Sequence, residues 1–150
     1  MITRRDLVVI ILSVTATLAG VATLRSQQPV MGSRVFDWTT LTPRTTEVGA
    51  VRQVVQAPTA TLDELEMHVT SLYPGRASHA AHQHPDEELI IVKEGTVEVL
   101  VNGETQRVGE GSVIFQAANQ LHSIRNAGDV MATYHVIRWN SPGMLARPRE

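Results

Sequence analysis

No cysteine occurs in this chain of 150 residues, which excludes disulfides, thiolate zinc sites and cysteine nucleophiles. A metal site here must be built from histidine and carboxylate. Aromatic residues make up only 4% of the sequence, so the core must be aliphatic, and the abundance of valine leans it towards strands. There is no basic block and the net charge is −2, so the cationic stripe that nucleic-acid binding needs is missing and no such partner is expected. Helical periodicity is also missing from residue 35 onward. What is present is 43% hydrophobic and 19% charged, an ordinary globular balance with room for one domain and one core.

One long apolar run, residues 7–24, follows a short charged start. It reads as an export signal or a membrane anchor, with cleavage the preferred expectation. Thr3-Arg4-Arg5-Asp6-Leu7-Val8 resembles the twin-arginine signal, with Leu7 where Phe is usual. The expected organisation is a signal or anchor helix over 1–25, a polar linker over 26–34 and one β-domain over 35–150. Membrane contact would run only through residues 7–24, in an anchor that is not cut. The protein is expected to be exported, to the periplasm or outside the cell.

Short strands between turns fill the rest. Strands are expected over 51–56, 64–72, 88–93, 96–101, 104–108, 112–116, 122–125 and 130–139. Asn102-Gly103 is a two-residue hairpin turn. In the 64–72 strand, Leu65, Met67 and Val69 share one side, and Glu66, His68 and Thr70 the other. This spacing points to an all-β sandwich or barrel. Phe36 and Trp38, at strand spacing where order should begin, are expected as core or edge-covering residues. The run Leu89-Ile90-Ile91-Val92 is apolar on both strand faces, so its outer face should be covered, by the Phe36/Trp38 segment or by a second subunit. A homodimer is expected.

The chemistry concentrates in His82-Gln83-His84-Pro85-Asp86-Glu87-Glu88. On extended backbone His82 and His84 point to one side. Two imidazoles and a carboxylate suit Fe(II), Mn(II), Ni(II), Co(II) or Zn(II). Glu88 starts the apolar strand and is the favoured carboxylate over Asp86 and Glu87; His122, further along the chain, is the further candidate ligand. His79 is expected to be exposed, and His68 and His135 are strand histidines that can face the interior as hydrogen-bonded residues. Tyr73, Gln116, Tyr134 and Trp139 are candidate pocket walls.

These residues carry a resemblance to the cupins, small jelly-roll β-barrels. Gly75, His82, His84, Glu88 and Gly95 resemble the family's first motif, with a loop one residue longer before the first histidine. Gly111, His122 and Asn126 resemble the second, with Ala117 and Asn119 where the family has Pro and Gly. The likeness spans about residues 50–139. It implies one divalent ion, Fe, Mn, Ni or Zn, held by His82, His84, Glu88 and His122. Positions would then remain for water, O₂ or a bidentate small-molecule substrate. The implied activity is that of a small-molecule oxygenase or related enzyme, with Glu88 also able to detach and act as a base; the alternative is a binding or sensing protein without turnover.

Overall fold

The computed structural model describes residues 29–143, so the expected signal or anchor segment lies outside the described residues. The fold is all-β. Among the described residues nine strands form two antiparallel sheets: β1 (Arg44–Thr46), β2 (Gly49–Ala57), β3 (Glu64–Leu72), β4 (Glu87–Glu94), β5 (Thr96–Val101), β6 (Glu104–Gly109), β7 (Val113–Gln116), β8 (Ser123–Asn126) and β9 (Ala132–Asn140). The large sheet has the order β1-β2-β3-β9-β4-β7 and the small one β6-β5-β8. Among the described residues, no helix is long and apolar enough to cross a membrane.

The strands lie close to their expected places, with one addition and several shifted ends. β1 has no apolar alternation to announce it; it forms because the turn before Gly49 folds Arg44–Thr46 back along β2. Asn102 and Gly103 take positive φ, as their two-residue turn between β5 and β6 requires. Gly95 turns β4 into β5 with φ +83°, and a Cβ there would lie 2.9 Å from the Ala132 backbone, so the position admits no side chain.

One end of the space between the sheets is closed by an apolar core. Leu72, Ile90, Val92, Val97, Val99, Ile114, Ile124, Ala132, Tyr134 and Val136 form it. The opposite end is polar. Glu66 pairs with Arg138, Arg138 with Glu88, and Glu88 with Gln116, so these four residues make one row across β3, β9, β4 and β7. The polar side of β3 therefore faces inward, and Leu65 and Met67 face out. An interior lined by Glu66, His68 and Thr70 is a cavity and not a core.

Residues 36–38 are not a strand. Asp37 caps a short 3-10 turn, Trp38–Thr40, through its carboxylate to the Thr39 amide, and this sets the direction of the segment. The Trp38 ring lies 4.5 Å from both the Arg52 guanidinium and the Lys93 ammonium. Those residues sit on β2 and β4, with β3 and β9 between them, so the ring spans the outer face of the large sheet. Part of the apolar outer face is thus covered by the chain itself, as the run at 89–92 required.

Candidate metal centre

Three backbone ties assemble the site before any side chain is considered. His82 and His122 form an isolated antiparallel bridge, and the Asn119 amide donates to the His84 carbonyl at 2.8 Å. Asn119 takes φ +59° there, a left-handed conformation that Asn tolerates better than most residues. Parity on β8 does the rest: His122, Ile124 and Asn126 are buried while Ser123 and Arg125 are not.

The three imidazoles converge. His82, His84 and His122 each offer a nitrogen within 4.8 Å of the others, with ring centroids 4.5 to 5.3 Å apart. His84 Nδ1 lies 3.0 Å from the Asp86 carbonyl, and His122 Nδ1 lies 2.8 Å from the Gln120 carbonyl. A carbonyl only accepts, so each proton sits on Nδ1 and each Nε2 keeps its lone pair. Those two Nε2 atoms and Nδ1 of His82 are buried with no hydrogen-bond partner. Buried polar groups are nearly always satisfied, so three unpartnered nitrogens on rings clustered this closely fit the coordination of a cation. With Nδ1 of His84 and His122 already committed, the set is three neutral nitrogen donors, suited to a first-row divalent ion.

Glu88 stands beside this cluster. Its Oε2 is 3.5 Å from His84 Nε2, longer than a good hydrogen bond. Burial works to raise the Glu88 pKa, but the contact with His84 and the nearby positive groups outweigh it and hold the carboxyl below its usual range. The same contact raises His84, whereas burial and the adjacent histidines lower His82. Asp86 turns towards Arg138 at 3.6 Å, and Glu87 is exposed and accepts from Trp139 Nε1 at 3.0 Å. Of the three acidic residues, Glu88 is the one that lines the cavity.

The cavity measures about 500 Å³ and has a mostly polar lining that includes Gln53, Glu66, His68, Gln116 and Arg138. Burial pushes the Tyr134 hydroxyl up to about 12, so it remains a neutral donor at the cavity wall. Gln116 and Tyr134 line the cavity as expected, but Tyr73 and Trp139 do not. Tyr73 lies past the end of β3 and is 42% exposed, and Trp139 stacks on Phe115 on the outer face. His79 is exposed yet touches the His82 ring, with centroids 4.1 Å apart. His68 faces the cavity, while His135 alternates to the outside. The sequence reading missed Gln53, Glu66 and Arg138, which join His68 in one bonded group. Alternation along β3 was the available signal for Glu66 and His68; nothing local marks Gln53.

Residues 68–138 match the family described as "Cupin domain". No curated protein matches the sequence. Solved structures share the fold at low identity. A predicted oxalate decarboxylase from Thermotoga maritima is 18% identical with a TM-score of 0.58, covering 71% of this chain and 99% of that one. The polyketide cyclase RemF from Streptomyces resistomycificus is 20% identical, TM-score 0.59, covering 75% and 82%. A cupin 2 conserved barrel domain protein from Salinispora arenicola is 22% identical, TM-score 0.56, covering 79% and 95%.

Proposed function

From the match of residues 68–138 to the cupin domain family, we propose that the protein is a cupin and a metal-dependent enzyme acting on a small polar molecule, in the first instance an oxygenase. One divalent ion, Fe, Mn, Ni or Zn, is held by His82, His84 and His122, with Glu88 as fourth ligand. The observation that carries this reading is the convergence of three buried, unpartnered imidazole nitrogens at the wall of a polar cavity. An ion so held supplies Lewis-acid polarisation of a ligand oxygen.

The chain's own residues supply the rest. Backbone carbonyls fix the orientation of His84 and His122, and the ionised Glu88 adds the negative charge that a cation needs beside neutral imidazoles. Gln116 and Tyr134 offer hydrogen bonds to an oxygen-rich ligand. Tyr134 and the aliphatic core beside it keep water from the rear of the cavity. The names of the structural neighbours, a predicted oxalate decarboxylase and a polyketide cyclase, differ in reaction, so the fold does not select one.

A second reading keeps the cavity and drops the turnover: a binding or sensing protein. The density of polar groups in the lining supports it, since those groups hold a ligand whether or not it reacts. The full chain, stripped with a chelator and reloaded with Fe(II), Mn(II), Ni(II) or Zn(II), should consume oxygen with catechols, flavonols or β-diketones. Tight ligand binding without turnover under every metal favours the second reading.

Two further proposals concern setting. Residues 1–25 support export through the twin-arginine route, which replacement of Arg4 and Arg5 by Lys should block. The outer face of the large sheet supports a homodimer. Met67, Ile137, Leu89 and Phe115 form an in-register apolar row across β3, β9, β4 and β7, and Phe115 is 50% exposed.

A further inference from the structure

Opposite the three histidines, the cavity holds a second ionisable pair that metal binding does not use. His68 and Glu66 stand two residues apart on β3 and so share its inward face. His68 Nδ1 lies 2.9 and 3.1 Å from the two carboxylate oxygens of Glu66. An ionised carboxylate accepts only, so Nδ1 is the donor, and in the neutral imidazole Nε2 carries the lone pair. Among the described residues every hydrogen bond of His68 runs through Nδ1, and Nε2 is not among the buried unpartnered atoms. Nε2 is therefore an open base.

The carboxylate is over-determined. Glu66 is 4% exposed and, besides His68, takes a hydrogen bond from Gln53 Nε2 at 2.8 Å and from Arg138 Nε at 3.2 Å. Gln53 and Arg138 already satisfy a buried carboxylate, so His68 is not needed to keep Glu66 in place. The relation runs the other way: the anchored carboxylate fixes the ring and tautomer of His68. Such a base held by an orienting acid is a recurring arrangement for proton transfer. Register sets its distance from the metal centre. Glu66 faces Arg138 and Arg138 faces Glu88, so the pair lies two strands from Glu88, about 10 Å at the usual strand spacing. Both groups line the same cavity.

We infer that His68 and Glu66 form a proton-transfer dyad in which His68 Nε2 removes an acidic proton from a ligand held at the three-histidine centre. The ligand class is a small carbonyl compound with an acidic C–H, an α-hydroxyketone or β-dicarbonyl. The C–H bond breaks, its electron pair moves into the enolate, and a new N–H bond forms on Nε2. Glu66 is a positioning residue that holds the resulting imidazolium by its charge. The reverse step returns the proton to the carbon. This inference rests on the metal-binding reading.

The test follows deuterium uptake at the hydroxymethylene carbon of hydroxyacetone by NMR, using the full chain loaded with Zn(II) or Mn(II) in D₂O. Wild type should speed exchange over metal alone. His68→Gln should lower it by about 100-fold or more, in the range of lost general-base catalysis, with metal content and melting temperature unchanged. Glu66→Gln should lower kcat and leave KM for hydroxyacetone alone. His68→Ala should regain exchange when imidazole is added. A readout that needs no metal is carbethoxylation by diethyl pyrocarbonate, which should modify His68 in the apoprotein at a rate that Glu66→Gln changes. Exchange unaffected by His68→Gln, no acceleration by the metal-loaded wild type, or an unreactive His68 each overturns the dyad. The metal reading fails separately, by a wild type that takes up no metal.

Discussion

His82 and His122 exchange two backbone hydrogen bonds, the amide of each donating to the carbonyl of the other at 3.0 and 2.9 Å. Two ligands from distant parts of the chain are thus locked through their own peptide groups, in a closely spaced antiparallel pair. The site is preorganised by main-chain geometry, and a cation need not draw these imidazoles together. Three lone pairs in one place cost stability in the metal-free protein, and that cost is recovered when an ion binds.

His84→Ala tests this arrangement. Losing only a supporting hydrogen bond at a metal site typically lowers affinity by about 10–100-fold, and loss of a ligand should exceed that. The melting temperature of the metal-free variant should fall only modestly, because the removed ring gives up one hydrogen bond, to the Asp86 carbonyl, while its Nε2 has no hydrogen-bond partner to lose. Calorimetric titration with Zn(II), paired with a melting curve, reads both. Unchanged affinity would mean that the ion binds elsewhere.

Asn126 completes the second motif but is no ligand. It is fully buried; its Nδ2 donates to the Leu72 and Val130 carbonyls at 2.9 and 2.7 Å, and its Oδ1 accepts from the Gly128 amide at 2.9 Å. Asn126→Ala strands these backbone groups and should cost roughly 2–3 kcal/mol of stability in denaturant unfolding. Metal stoichiometry should stay the same. A variant that folds as well as wild type and loses metal would reverse this assignment.

Acid should reveal Glu66. Burial alone would raise its pKa, but hydrogen bonds from His68 and Gln53 and the positive charge of Arg138 outweigh it and hold the carboxyl below 4.5. A lowered folded-state pKa stabilises the fold above the unfolded value, and that contribution is lost as pH falls from about 4.5 through the folded value. In metal-free protein, wild type should therefore be more stable than Glu66→Gln near neutrality, with the gap closing as pH falls below 4.5. Urea unfolding at a series of pH values measures this; a constant gap contradicts it.

The apolar row on the outer sheet face gives a prediction about assembly. The full chain should have the mass of a dimer in solution, and Phe115→Glu should yield monomers with full metal content. Phe115 is 50% exposed in the isolated chain, so within one chain the substitution loses mainly its stacking on Trp139. A clean wild-type monomer removes the proposal.

The three-histidine cluster was legible in the sequence because its determinants are local. Alternation places His82 and His84 together, and turn residues such as Gly111 and Asn119 bring His122 back over them. The cavity walls were less legible. Tyr134 and Trp139 are five apart on one strand, so they point to opposite faces, and only Tyr134 lines the cavity. The Glu66–His68–Arg138 group depends on the register of β3 against β9, which no short-range pattern specifies. Strand β1 escaped because its three residues carry no apolar alternation and owe their place to pairing with β2.

The most direct test of the metal centre is an anomalous difference map from crystals of the full chain soaked in Zn(II), Ni(II) or Mn(II). One peak should appear at coordination distance, about 2.0–2.2 Å, from Nδ1 of His82 and from Nε2 of both His84 and His122. A peak that touches fewer than two of these imidazoles, or no peak at saturating metal, would contradict the account.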